Sequence, residues 1–418
     1  MFINTTADLG SDVESVRSVD SVRVALVAET FLPSVNGVVN SVIRVADHLA
    51  SRGHDPLVVA PAGVDHFETP AGHDIEVVQL PRVRVPGYTS LSIIRPGLDL
   101  RPTLRDVNPD IVHLASPLVL GWSAARAADQ LTIPAVAVFQ TDMSGFLRRY
   151  GLGAAAGPLW CGLRRVHGRA ALTLAPSTSS AYQLRAHGIG PVAIWARGVD
   201  GAQFNPRHRS MSLNRSFGGG VGTLVVGFVG RLAAEKQVDR LEPITRLPGV
   251  QLVIIGDGPQ RRRLGRLMPR AAFLGMQQGA ALARLMASMD VVVNPGSDET
   301  FCQVVQEALC SGVPVIAAAS GGPLDLVRHG DNGWLWAGGD PGVLAAQVDA
   351  LRLDRRALAG AAARARDSVV HRTWERVGDE LIAHYRSVLE ASAAGRPVAE
   401  GGDVVPIRSG LRSRLRAS

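Results

Sequence analysis

From Val22 onward, hydrophobic residues come in short unbroken runs, each followed by a turn and then by a stretch with helical spacing. The runs at 24–28, 57–59, 75–78, 111–114, 135–139 and 171–174 predict strands, and 36–52 predicts a helix that ends at Gly53. Runs that do not alternate with polar residues belong to strands covered on both faces, hence to a parallel sheet with helices on either side. Residues 198–222 break the pattern, being polar and rich in Gly, Ser, Asn and Arg, as a linker is. The alternation then restarts at 224–229, 251–255, 272–274, 291–293 and 313–317. The predicted fold class is α/β, with two doubly wound Rossmann-like domains facing across a cleft. Their expected bounds are a disordered tail 1–22, a first domain 23–197, a linker 198–222 and a second domain 223–373. A terminal helix 374–390 packing back on the first domain and a disordered basic tail 391–418 complete the chain. Ligands of such domains bind at the carboxyl ends of the strands, inside the cleft.

Composition narrows the class. A chain of 418 residues suits two or three domains, and 46% hydrophobic against 19% charged residues argues for filled cores. The first 22 residues carry acids and no long apolar run, so they do not read as a signal peptide. No stretch reaches the roughly 20 apolar residues of a spanning helix, and the expected location is cytoplasmic, peripheral on the inner membrane face. Cys161, Cys302 and Cys310 fit neither a disulfide framework nor a metal site and read as core or near-site thiols. The net charge of +7 calls for an anionic partner: nucleic acid, a nucleotide ligand or an acidic membrane. One arginine cluster comprises Arg82, Arg84, Arg95, Arg101 and Arg105. Another, Arg148, Arg149, Arg164, Arg165 and Arg169, is interleaved with Phe146, Tyr150, Trp160 and Leu163. Such a mixture suits anionic lipid headgroups, with a solvated helix face as the alternative reading. Repeated stacking aromatics and a recognisable module are lacking, so nucleic acid is not an expected partner.

Of 44 basic residues, 43 are arginine, and the single lysine, Lys236, sits in Gly230-Arg231-Leu232-Ala233-Ala234-Glu235-Lys236 directly after a predicted strand. A buried strand that ends in glycine, with two cations on the turn that follows, is a place to hold a phosphate. The second motif, Pro295-Gly296-Ser297-Asp298-Glu299-Thr300-Phe301-Cys302-Gln303-Val304-Val305-Gln306-Glu307, carries two glutamates. Glu299 falls in the loop after a strand, and Glu307 about two turns into a helix that starts near Phe301. The first-turn amides of Phe301, Cys302 and Gln303 are free to bind an anion, and each carboxylate can accept hydrogen bonds from hydroxyls on either side of it. A phosphate flanked by two polyols is a nucleotide sugar. Either glutamate alone reads as an ordinary first-turn or solvated acid. The conjunction with Arg231 and Lys236 selects the functional reading.

These motifs, with Ser311-Gly312 and Pro314-Val315-Ile316, resemble the retaining glycosyltransferase family 4, of GT-B fold, over about 24–385. Four further segments carry the resemblance: Ala28-Glu29-Thr30-Phe31-Leu32-Pro33, Val112-His113-Leu114-Ala115-Ser116-Pro117, Gln140-Thr141-Asp142 and Trp195-Ala196-Arg197-Gly198-Val199-Asp200. They are similar to a GDP-mannose-dependent α-mannosyltransferase branch acting on phosphatidylinositol mannoside or glucuronosyl-diacylglycerol. A sulfoquinovosyl-diacylglycerol synthase branch shares many of them. The resemblance implies GDP-mannose as donor, an anionic glycolipid as acceptor, and no cofactor. It implies that Arg231 and Lys236 hold the diphosphate and Glu307 the ribose, while Glu299 holds the transferred sugar with the amides near Phe301, Cys302 and Gln303. Asn36 and Gly37 would press against the same diphosphate, since glycine permits close approach. Many members carry His where this chain has Gln140, which can bond a hydroxyl but cannot act as a base. That leaves Asp142 as the ionisable candidate beside the acceptor, with Arg148, Arg149, Trp160, Arg164 and Arg165 at the membrane.

No Asp-x-Asp occurs in the chain, so the two cations and the helix N-terminus are expected to replace a metal at the diphosphate. His113, at the end of a buried strand, reads either as a core residue or as a ligand. A nucleotide-sugar epimerase of related architecture fits less well, because it needs acid/base groups around the sugar ring.

Overall fold

The computed structural model describes residues 21–34, 36–84, 92–94, 97–140, 145, 151, 153–218 and 222–398. The strands of the first half are β1 (Arg23–Val27), β2 (Asp55–Pro61), β3 (His66–Glu68), β4 (Asp74–Leu80), β5 (Arg82–Arg84) and β6 (Ser92–Ile94). They continue with β7 (Ile111–Leu114), β8 (Ala135–Val138), β9 (Leu172–Ala175) and β10 (Val192–Ile194). Eight of them form one sheet in the order β10-β9-β8-β7-β1-β2-β4-β3, parallel except for the β3/β4 pair, while β5 and β6 pair separately. The second half has β11 (Leu224–Val229), β12 (Val250–Ile255), β13 (Ala272–Phe273), β14 (Val291–Asn294), β15 (Val315–Ala318) and β16 (Gly333–Trp336), all parallel, in the order β13-β12-β11-β14-β15-β16. In each sheet the order reverses beside the first strand, and a doubly wound sheet opens its ligand crevice at that point.

Continuous apolar runs arise because each central strand feeds two cores. Val24 and Leu26 of β1 face the helix Gly37–Ser51, whereas Ala25 and Val27 face the helix Val119–Gln130. In β11, Val225 and Val229 lie in one core and Leu224, Val226 and Phe228 in the other. Each such apolar side chain contributes about 1.5–3 kcal/mol on burial.

The expected linker 198–222 is corrected by the structure, because residues 199–217 are an ordered part of the second domain. Val199, Phe204 and Phe217 lie in its core. Arg209 donates to the carbonyls of Ala287 (3.2 Å) and Met289 (2.6 Å) and pairs with Asp290, while Asn214 donates to Ser288 O at 2.8 Å. The polar composition that suggests a tether serves to satisfy the carbonyls at the end of the helix Gly279–Ala287.

The helix Trp374–Ala393 lies on the first domain, where Val377, Leu381, Tyr385 and Val388 join the core of the helix Gly37–Ser51. Trp195 Nε1 donates to Val377 O at 2.9 Å, and Arg52 pairs with Asp379 and Glu375. Tyr385 Oη and His113 Nδ1 form a 2.6 Å hydrogen bond, and burial pushes the imidazole down to about 3. His113 is therefore a neutral core residue.

Candidate active site

The carboxyl end of β11 turns at Gly230, whose φ of +150° suits glycine, and its N–H donates to Ile255 O at 3.0 Å. A Cβ on Gly256 would run into the Gly230 carbonyl, and one on Gly258 would run into that of Leu232. Two loops thus close around the turn and fix the emergence of Arg231 and the short 3-10 turn Ala234–Lys236. Lys236 Nζ donates to Glu299 Oε1 at 2.6 Å. Burial opposes the lysine charge, but the acidic groups around it, Glu299 foremost and Glu235 among them, together outweigh it and raise the pKa. Glu299 is held from behind: its carbonyl accepts from Gly322 N at 2.8 Å, and Gly321, at φ +66°, leaves no room for a Cβ against that carbonyl.

The helix that follows begins at Gln303, with Cys302 before it in the left-handed region at φ +74°. Asn294 Nδ2 donates to Cys302 Sγ at 2.6 Å, and burial pushes the thiol well above its usual range, which makes it unreactive. Glu307 lies one turn along this helix rather than two. Burial pushes its carboxyl up to about 8, against a hydrogen bond from Gln303. Gln303 Nε2 also donates to Gly198 O at 2.9 Å, and Gln306 Nε2 to Arg197 O at 3.0 Å, tying this helix to the interdomain crossing.

Across the cleft, Asn36 caps the helix Gly37–Ser51 by accepting from Val38 N and Val39 N and donates to Thr30 Oγ1 at 3.2 Å. Gln140 Nε2 donates to Ala115 O at 3.1 Å while its Oε1 accepts from Arg197 Nη2 at 2.5 Å. Both ends of the Gln140 amide are thus engaged within the protein, each with one hydrogen-bonding position left over on the cavity wall. Arg197 also donates to Gly37 O at 3.2 Å, and burial lowers its pKa to about 10, where it is still a cation.

Two cavities meet at this point. One, of about 520 Å³, is lined by Glu29, Thr30, Asn36, Gly37 and Gln140 on one wall and by Glu235 on the other. The second, of about 300 Å³, is lined by Gly230, Asn294, Glu299, Phe301, Cys302 and Gln303. Arg197, Arg231 and Lys236 line both. Glu307 lines neither. Sequence reasoning assigned no role to Glu29 or Arg197, although both stand in motifs it singled out. Their signal is positional, since each follows the carboxyl end of a strand, β1 and β10 respectively.

The expected membrane segment is partly corrected. Arg164 and Arg165 are exposed on the helix Ala156–His167. Trp160 is only 6% exposed, stacks on His187 at 3.7 Å and packs against Phe139, so it fills a core instead of reaching the lipid interface. Asp142, Arg148 and Arg149 lie outside the described residues.

Comparison with known proteins agrees with the two-domain fold. The Glycosyltransferase Family 4 model matches residues 35–203, and the Glycosyl transferases group 1 model matches 223–354. The GDP-mannose-dependent alpha-mannosyltransferase of Mycolicibacterium smegmatis is 49% identical over 376 residues, covering 88% of this chain and 98% of that protein. The chain belongs to glycosyltransferase family 4. The Corynebacterium glutamicum protein of the same name is 47% identical over 373 residues, covering 88% of this chain and 90% of its own. The sucrose-phosphate synthase of Thermosynechococcus elongatus superimposes with a TM-score of 0.70 at 19% identity, over 88% of this chain and all of that one. The fold of this glycosyltransferase is accordingly GT-B. The first family model ends at 203, inside the segment that docks on the second domain, and the second begins at 223, beyond it.

Proposed function

We propose that this glycosyltransferase moves mannose from GDP-mannose, with retention of configuration, to a glycolipid acceptor at a membrane surface, the acceptor being glucuronosyl-diacylglycerol or a phosphatidylinositol mannoside. The observation that carries the reading is the trio Arg197, Arg231 and Lys236 at the junction of the two cavities, within reach of Glu299. The names of the two mannosyltransferase relatives support the donor. In this reading Arg231 and Lys236 neutralise the diphosphate, Glu299 bonds the mannose hydroxyls and Glu307 bonds the ribose. The amides of Phe301, Cys302 and Gln303 face the phosphate or sugar, and Asn36-Gly37 approaches from the other wall. The Lys236–Glu299 ion pair then has a job before the donor arrives: each group compensates the other and is already in position for its part of the substrate.

As the bond from the anomeric carbon to the β-phosphate lengthens, negative charge collects on that phosphate and the sugar becomes oxocarbenium-like. Cations fixed there stabilise this state more than the bound ground state, which is what acceleration requires. The acceptor oxygen attacks from the same face, the new C–O bond forms, and its proton passes to the departing phosphate. No divalent ion is assigned a part, so transfer is expected to persist in EDTA.

Exposed Arg164 and Arg165 give the first domain positive charge for anionic headgroups. Among the described residues, no helix is long and apolar enough to cross a membrane. The acceptor lipid is therefore met at its surface, with the enzyme docked peripherally on the cytoplasmic face. The decisive experiment incubates the protein with radiolabelled GDP-mannose, or with UDP-sulfoquinovose in a second arm, and with each lipid in micelles, then identifies the product. A mannosylated lipid formed from GDP-mannose is expected; sulfoquinovosyl lipid instead would replace both donor and product in this reading.

A further inference from the structure

The cleft carries charged groups on both walls. Its cations include Arg231 and Lys236 on the second domain, whereas Glu29 is the one carboxylate among the described residues that line the first-domain wall. Glu29 stands two residues beyond β1, at the carboxyl end of a central strand. Its orientation is fixed. Oε1 accepts from Leu120 N at 2.7 Å and Gly121 N at 3.0 Å, two first-turn amides of the helix Val119–Gln130, whose own N-cap, Leu118, offers no side-chain bond. Both of these bonds end on one oxygen, and the Leu118 backbone bonds the carboxylate as well. A carboxylate has about four acceptor positions, so one anchored in this way on the wall of an open cavity that also holds Arg197, Arg231 and Lys236 can still accept a hydrogen bond from a hydroxyl brought into that cavity.

We propose that Glu29 bonds the acceptor hydroxyl and aims its oxygen at the anomeric carbon; this rests on the transfer reaction proposed above. In that step the acceptor O–H points to Glu29, the oxygen lone pair forms the new C–O bond, and the bond to the β-phosphate breaks. The proton leaves with the phosphate, so Glu29 gains none on balance. Burial pushes the carboxyl up to about 7 despite the amide bonds that work the other way. A group held this high is a strong hydrogen-bond acceptor once ionised. The same contacts would be made by a residue that only anchors the helix, and a single substitution separates the two roles.

In Glu29→Gln the amide oxygen can still accept from Leu120 and Gly121, but the second position becomes a donor. We expect transfer from GDP-mannose to the lipid acceptor to fall on the order of 100-fold, as for loss of a contact that positions the attacking group. The affinity for GDP, by calorimetry, should change less than about twofold, and Tm should stay near wild type. Glu29→Ala, which also loses the anchor, should lower Tm. Wild-type transfer by Glu29→Gln would reduce Glu29 to a helix anchor. GDP affinity falling in step with transfer would move Glu29 to the donor side, and a Tm loss equal to that of Glu29→Ala would make the role structural; each overturns the inference. Wild-type protein is assayed in parallel, and failure of the proposed function appears there, independently of any variant.

Discussion

Lys236 and Glu299 show how far a residue can be read before its partner is known. Both were visible in the sequence, the lysine by its solitude and the glutamate by its spacing, but nothing in either motif announces the 2.6 Å bond between them. Arg197 was invisible as a site residue for the opposite reason, because its partners Gly37 and Gln140 lie 160 and 57 positions away and only the fold assembles them. Lys236→Ala is expected to lower turnover by roughly two to three orders of magnitude, the loss of one preorganised electrostatic contact, and it also strands the Glu299 charge. Near-normal turnover would return the lysine to an accident of composition. The two glutamates separate by ligand: Glu307→Gln should weaken GDP and GDP-mannose alike, while Glu299→Gln should slow transfer and leave GDP affinity nearly intact, both read by calorimetry and initial rates. Glu307 also has a pH signature in the ligand-free protein. Its folded-state value, raised from 4.5 to about 8, means that below pH 4.5 both states hold the proton; from there to about 8 the unfolded chain releases it first and the fold loses stability. Glu307→Gln should therefore stabilise most near pH 8 and little near pH 4.5 in chemical denaturation. A pH-independent difference would remove burial as the cause.

At the scale of elements, the apolar runs and the amphipathic helices 36–52 and 374–390 were legible, and several of the shortest strands were not. Strands β1 and β11 appear as unbroken hydrophobic runs because both of their faces are covered, whereas β3, β10 and β16 are three or four residues long and carry no periodicity to detect. The helix Ala156–His167 misled in a different way. Arginines beside a tryptophan fit a membrane interface, yet the tryptophan points inward and the arginines point outward. Trp160→Ala is thus expected to cost about 3–5 kcal/mol of stability through the cavity it leaves. The Arg164→Gln, Arg165→Gln double variant should lie within about 0.5 kcal/mol of wild type and weaken sedimentation with cardiolipin-containing liposomes. Unchanged sedimentation of that double variant would detach this helix from membrane binding.

For the whole molecule, the chain crosses between domains twice, at 197–199 and at 372–374, and the crossings lie side by side. Val199 N donates to Arg372 O at 2.8 Å, Val199 bridges to Thr373, and Gly198 is packed flush on the Trp374 backbone. Elsewhere in the cleft, polar contacts between the domains include Thr178 N to Asp325 Oδ2 at 2.6 Å and Thr300 Oγ1 to Gln140 O at 2.9 Å. Such an arrangement lets the domains turn about a narrow joint. Gly198→Ala would set a Cβ 2.6 Å from Trp374 N and should displace the joint. Slower transfer with GDP affinity retained is the expected outcome; equal transfer would mean that the joint tolerates the change. The two-domain plan was readable from the restart of the strand pattern, but the joint was not, since it depends on residues 174 positions apart, from Val199 to Thr373.

The side-by-side crossings have a further consequence for how the protein is put together. Because the terminal helix belongs to the first domain, that domain is discontinuous, and the second domain is an insertion whose two ends leave the structure a hydrogen bond apart. An inserted unit with adjoining ends can be excised without stretching it. Residues 199–372 thus form a natural cassette, able to be expressed alone or exchanged between relatives with Arg231, Lys236 and Glu299 carried inside it and Arg197 left outside. The outer domain, by contrast, needs a peptide link from Gly198 to Thr373 before it can close its own core.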